Sequence, residues 1–129
     1  MGSRKPREAR PVKARYTVFT EGKVTEKQYL ECLLQHLRPR HATLSIKPIG
    51  GEPSRVFKEY QKAEQRGDFD RAILIVDVDQ HHKLDEVLRD CRSSTAVDAI
   101  VTNPCFELWL LWHATDRRGY TETRECVRL

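Results

Sequence analysis

The chain has 129 residues, 39% hydrophobic and 33% charged, a balance that suits one globular domain and excludes a disordered or fibrous chain. No apolar run approaches the roughly 20 residues of a membrane span, and no hydrophobic signal core opens the sequence, which therefore reads as cytoplasmic. The net charge of +4 is uneven: residues 1–15 carry Arg4, Lys5, Arg7, Arg10, Lys13 and Arg15 against Glu8 alone, so the remainder sums to −1.

Residues 1–14 thus read as a basic, Pro-containing flexible arm suited to phosphate backbones, and residues 15–129 as the domain. Tyr16-Thr17-Val18-Phe19-Thr20 is β-branched and aromatic and predicts a strand. It closes on Glu21-Gly22-Lys23-Val24-Thr25-Glu26, with Gly22 read as a tight turn and Thr25 as a helix cap. Tyr29, Leu30, Leu33, Leu34 and Leu37 form the stripe of a helix that stops before Pro39.

The alternation from Thr43 to Ile49 predicts a second strand, and Pro48 marks it as an edge or an end. Gly50-Gly51 breaks it, without the GxxxxGK[ST] or GxGxxG pattern of a nucleotide loop. A helix from Pro53-Ser54 carries Val56, Tyr60 and Ala63 on one face and ends at Gly67-Asp68. The run from Arg71 to Val76 is continuously apolar after its first residue, as in a central parallel strand covered on both faces. It closes on Asp77-Val78-Asp79.

Leu84, Val87, Leu88 and Cys91 mark a third helix, and 96–101 a fourth strand. Pro104 suits the first turn of a last helix, Phe106 to Trp112. That helix is apolar nearly all round except for Glu107, so it expects burial on several sides or further protein against it. Residues 114–129 are polar and Arg-rich and end without a capping element, which suggests that the domain continues beyond them. The order β-α-β-α-β-α-β-α predicts an α/β fold with a mainly parallel four-stranded sheet flanked by helices. Cys32, Cys91, Cys105 and Cys126 lack zinc-site spacing and read as buried or half-buried thiols.

The chemistry lies in the acidic groups. Glu21 and the Asp77/Asp79 pair follow apolar strands, at the ends where open α/β sheets place their sites. Carboxylates converging there would bind a hard cation, Mg²⁺ or Mn²⁺. Asp77 or Asp79 could instead cap the following helix or pair with a nearby cation. Glu26 sits in a first helical turn, where interaction with the helix dipole and metal ligation are equally good accounts. His81 and His82 follow the Asp pair; either suits a proton shuttle or a phosphate contact, or simple exposure to solvent. Glu107, alone among apolar residues, needs a partner or a raised pKa.

Three segments carry a resemblance: Glu21-Gly22-Lys23-Val24-Thr25-Glu26, Val76-Asp77-Val78-Asp79-Gln80-His81, and Asn103-Pro104-Cys105-Phe106-Glu107-Leu108-Trp109-Leu110-Leu111. A strand closing on Glu-Gly and a later one on Asp-x-Asp resemble the Toprim fold of topoisomerases, primases and OLD-type nucleases. The closer resemblance is to RloB-like proteins. It implies a metal-dependent nuclease in bacterial phage defence, with nucleic acid and an OLD- or ABC-type ATPase as partners, no membrane, and room for an oligomer. Glu21, Asp77 and Asp79 would form the acidic triad and Glu26 an extra ligand, with His81 and Glu107 as further catalytic candidates. Such chains usually run longer. A non-catalytic Toprim-like module that binds an ATPase or nucleic acid is the main alternative, and phosphotransfer on a small molecule is a third.

Overall fold

Residues 71–77 form the strand on which the fold is assembled. In the computed structural model, which describes residues 13–78, 84–103 and 105–114, the elements are β1 (Ala14–Thr20), α1 (Thr25–Leu37), β2 (Ala42–Pro48), α2 (Pro53–Arg66), β3 (Arg71–Asp77), α3 (Leu84–Arg92), β4 (Val97–Thr102) and α4 (Phe106–Ala114). The sheet order is β2-β1-β3-β4 and every pairing is parallel. The predicted α/β architecture is the observed one. Pro48 satisfies both of its readings, as the last residue of an edge strand. The basic arm lies largely outside the described residues, as do Cys126 and the last 15 residues.

Alternate residues of each strand feed two cores. On one face Val18, Ile73 and Ile75 pack with Leu30 of α1 and Phe106 of α4. On the other, Phe19, Ala72, Leu74 and Val76 pack with Val56 and Tyr60 of α2 and with Leu84, Val87 and Cys91 of α3. The second core also holds the aromatic group of Phe19, Tyr60 and Phe69, with ring centroids 5.7–6.2 Å apart. Burial pushes the Tyr60 hydroxyl up to about 12 and the Cys91 thiol up to about 11. Cys91 therefore packs as a neutral apolar group.

The face on which each helix lies follows from the strand order. The chain moves one way along the sheet from β1 to β2, then the other way from β2 across β1 to β3 and on to β4. Crossovers of one hand require α1 on the opposite face from α2 and α3, and the two cores have this division. The helices that follow β1 and β3 therefore cover opposite faces. The carboxyl ends of these neighbouring strands form the topological switch point, where open α/β sheets have the crevice that binds ligands.

Some local expectations change. Thr25 does not cap α1; it is the first helical residue, and Val24 holds the cap position without a side-chain hydrogen bond. Leu37, read as part of the apolar stripe, is 62% exposed, as the last residue of α1 before its cap at Arg38. Cys32 is exposed, whereas Cys91 and Cys105 are buried. At the opposite end, Arg15 N–H donates to the Asp70 carboxylate at 2.8 Å and Asp70 N–H to Arg15 C=O at 2.8 Å, which ties the entry of β3 to β1.

Leu74 is fully buried in a central strand, so Leu74→Ala should destabilise the domain by about 2–5 kcal/mol. Leu37→Ala, at an exposed position, should stay within about 0.5 kcal/mol. Urea unfolding midpoints of the two variants check this contrast.

Candidate acidic site at the carboxyl edge of the sheet

Thr20 ends β1, but its neighbour continues the ladder: Glu21 N–H donates to Ile75 C=O at 3.0 Å. The Glu21 side chain then turns toward β3, and its Oε2 accepts the Asp77 N–H at 2.8 Å. A carboxylate thus takes the acceptor place beside β3 that β1 has left. Asp77 reaches the other way. Its Oδ1 accepts the Phe106 N–H at 3.2 Å and the Thr102 hydroxyl. Val78 N–H donates to Thr102 C=O at 2.9 Å and closes the β3–β4 ladder above it.

Asp77 therefore has a helix-capping role, though at α4 and not at the helix that follows it in sequence. A carboxylate at this N-terminus meets a free N–H and the positive end of the helix dipole. Thr102, which orients that carboxylate, was missed in the sequence, where it reads only as the last residue of a β run.

Glu26 is the unusual member. It lies in the first turn of α1 and is only 3% exposed. Burial raises its pKa above the ordinary 4.5. A bond from its own backbone N–H opposes that shift, and the negative charges of Asp77, Glu107 and Glu21 add to it. Three carboxylates, from the end of β1, from β3 and from α4, thus act on a fourth, Glu26 of α1, at the switch point. Glu107 contributes from the half-buried first turn of α4.

Gly22 is explained by the same burial. Its φ is not among the positive ones, which occur at Gly50, Gly51 and Gly67 among the described glycines. The turn read from the sequence is not its reason. A Cβ on Gly22 would overlap the Glu26 carboxylate, so the glycine gives the buried acid its space. The neighbouring Thr20 hydroxyl, fully buried, donates to Gly22 C=O at 2.6 Å and fixes this segment.

The structure brings together Glu21, Glu26, Asp77 and Glu107. Asp79, His81 and His82 lie outside the described residues. The donor set is all oxygen, as a hard cation prefers. Among the described residues, however, no group of three or more His, Cys, Asp or Glu side chains is arranged to hold a metal ion. The carboxylates present fit a cation in chemistry and sign but do not complete its ligand set. No helix of the described residues is long and apolar enough to cross a membrane.

A raised folded-state pKa favours folding below the ordinary glutamate pKa, and that contribution is lost as pH rises through the folded value. In the presence of a chelator, Glu26→Gln should therefore be more stable than the wild type at pH 8, with the gap narrowing toward pH 4. Urea midpoints across this range test it. Gly22→Ala should displace the Glu26 carboxylate and so flatten the same pH dependence of the midpoint.

A protein-family model described as RloB-like protein matches residues 16–129. Comparison with curated proteins and with solved structures finds no match.

Proposed function

The chain belongs to the RloB-like protein family, and from that premise we propose that it is a metal-dependent nuclease with a Toprim-like site, hydrolysing phosphodiester bonds of DNA or RNA. The observation that carries this reading is the burial of Glu26 among three other carboxylates at the β1–β3 switch point. Concentrating negative charge in a poorly solvated place is unfavourable unless a cation enters.

Glu21, Glu26, Asp77 and Asp79 would hold Mg²⁺ or Mn²⁺. A bound divalent ion supplies an activated water and neutralises charge at the phosphate. The protein's own residues set the frame. Glu21 and Asp77 are held by backbone N–H groups and Thr102, so their carboxylates need little reorganisation when charge develops. His81 is the candidate proton shuttle, and Glu107 extends the negative field from α4. The basic arm would guide the polyanion. The setting in phage defence beside an OLD- or ABC-type ATPase rests on the family resemblance.

A second reading has its own observation. Ile100, Val101 and Trp109 are large apolar residues with exposed surface. They border a groove of about 540 Å³ between α1, β4 and α4, a surface suited to a non-catalytic module that docks on a protein partner.

The two readings separate on metal. With Mg²⁺ or Mn²⁺ the wild type should nick supercoiled DNA or cleave RNA, and Asp79→Asn or Glu26→Gln should lose roughly 100-fold or more of that rate. Equal rates in variants and wild type would sink the nuclease reading. Asp77→Ala is a poor probe, because it also removes the cap on α4. Independently of activity, millimolar Mn²⁺ should raise the Tm of the wild type and not that of Asp79→Asn.

A further inference from the structure

Beside the acidic crevice the sequence leaves Gly50-Gly51, a break after β2 without a nucleotide-loop motif. Both glycines lie in the left-handed region, at φ 77° and 86°. Each has a cationic side chain lying on its backbone. A Cβ on Gly50 would overlap the Lys23 side chain at Cε, and one on Gly51 would come within 3.1 Å of Arg55 Cδ. The turn is thus a floor for two basic stems, one from the loop after β1 and one from the first turn of α2. Ile49 N–H donates to Thr20 C=O at 2.9 Å, so this floor is fixed to the end of β1 that carries Glu21.

Among the described residues the charges of these two side chains are unmatched. Six basic residues pair with carboxylates elsewhere: Arg15, Lys27, Lys47, Lys62, Arg66 and Arg71. Neither Lys23 nor Arg55 has a carboxylate within ion-pair distance among the described residues, and both are exposed. Lys23 is two residues from Glu21, yet the Glu21 carboxylate turns to Asp77 of β3 whereas Lys23 lies on the Gly50 turn after β2. Two cations with stems held on adjacent residues repel one another weakly in water. An anion between them removes that repulsion. Arg offers a planar pair of donors to phosphate and Lys a point charge, while the 14-residue α2, starting at Pro53, points the positive end of its dipole toward the same turn.

We propose that Lys23 and Arg55, seated on the Gly50–Gly51 turn, form a phosphodiester subsite that holds one backbone phosphate of a nucleic acid strand beside the acidic crevice. The placement rests on the nuclease reading for its purpose, but phosphate binding there does not require cleavage. The carboxylates repel a polyanion; a cationic seat on the β2 side gives the strand a defined line of approach. Both residues are positioning residues.

The test is fluorescence anisotropy of a labelled oligonucleotide with the full chain in EDTA across a KCl series. Lys23→Ala/Arg55→Ala should bind more weakly and lower the slope of log K against log salt by about 0.7–0.9, the value of one phosphate contact. Lys23→Arg/Arg55→Lys, which keeps both charges, should retain the slope. Arg89→Ala/Arg92→Ala removes the same charge from the last turn of α3, at the opposite edge, and should leave the slope unchanged. An equal loss in both alanine pairs, or no loss in either, would overturn the subsite. Displacement of the oligonucleotide by inorganic phosphate, but not by chloride at matched ionic strength, would reassign the pair to a small phosphate ligand and overturn the strand assignment. Absence of cleavage with Mg²⁺ or Mn²⁺ alongside the predicted slope change would leave the subsite standing and remove the nuclease reading.

Discussion

The bond from Asp77 N–H to the Glu21 carboxylate is the constraint on which the site depends. It forms where β1 has ended and β3 has one residue left, so a side chain stands in for a missing strand. Buried or half-buried backbone N–H groups must find an acceptor, and here the acceptor carries charge. The same few residues then commit Asp77 to Thr102 and Phe106. Three neighbouring strand ends and one helix start are joined through two carboxylates, and the crevice at the switch point acquires a fixed acidic lining.

Glu26 follows from that frame. α1 must begin close to the end of β1 to cover its face of the sheet, and this brings its first turn over the crevice. The acid placed there is buried beside Asp77, Glu107 and Glu21, whose charges add to the effect of burial. Gly22 leaves room for it, and a larger residue would force the carboxylate out. Burial of a charged acid at such a position opposes stability, a pattern that is common at functional sites.

The sheet edge is asymmetric around this acidic centre. On the β2 side lie a glycine turn and two basic side chains that have no carboxylate partner among the described residues. On the β4 side lie an edge strand and a largely apolar helix, with Trp109 42% exposed. A charged polymer and an apolar protein surface would therefore meet different flanks of the same crevice. That division lets the catalytic and docking readings concern separate residues.

Much of the fold was legible along the chain. The unbroken apolar run before Asp77 marks a doubly covered strand, and Gly67, Gly50-Gly51 and Pro39 mark stops. These are local signals, set by side-chain period and backbone freedom within a few residues. The placing of Glu21 and Asp77 at strand ends was legible for the same reason. Which ends adjoin was decided only by the order β2-β1-β3-β4, because the pairing of β1 with β3 joins residues 55 positions apart, such as Tyr16 and Arg71. Thr102 as a partner of Asp77, the lack of a side-chain cap at Thr25, the exposure of Leu37 and the spatial reason for Gly22 all depend on that assembly. So does the raised pKa of Glu26, since desolvation and the fields of Asp77 and Glu107, both distant along the chain, exist only once the sheet has closed around them.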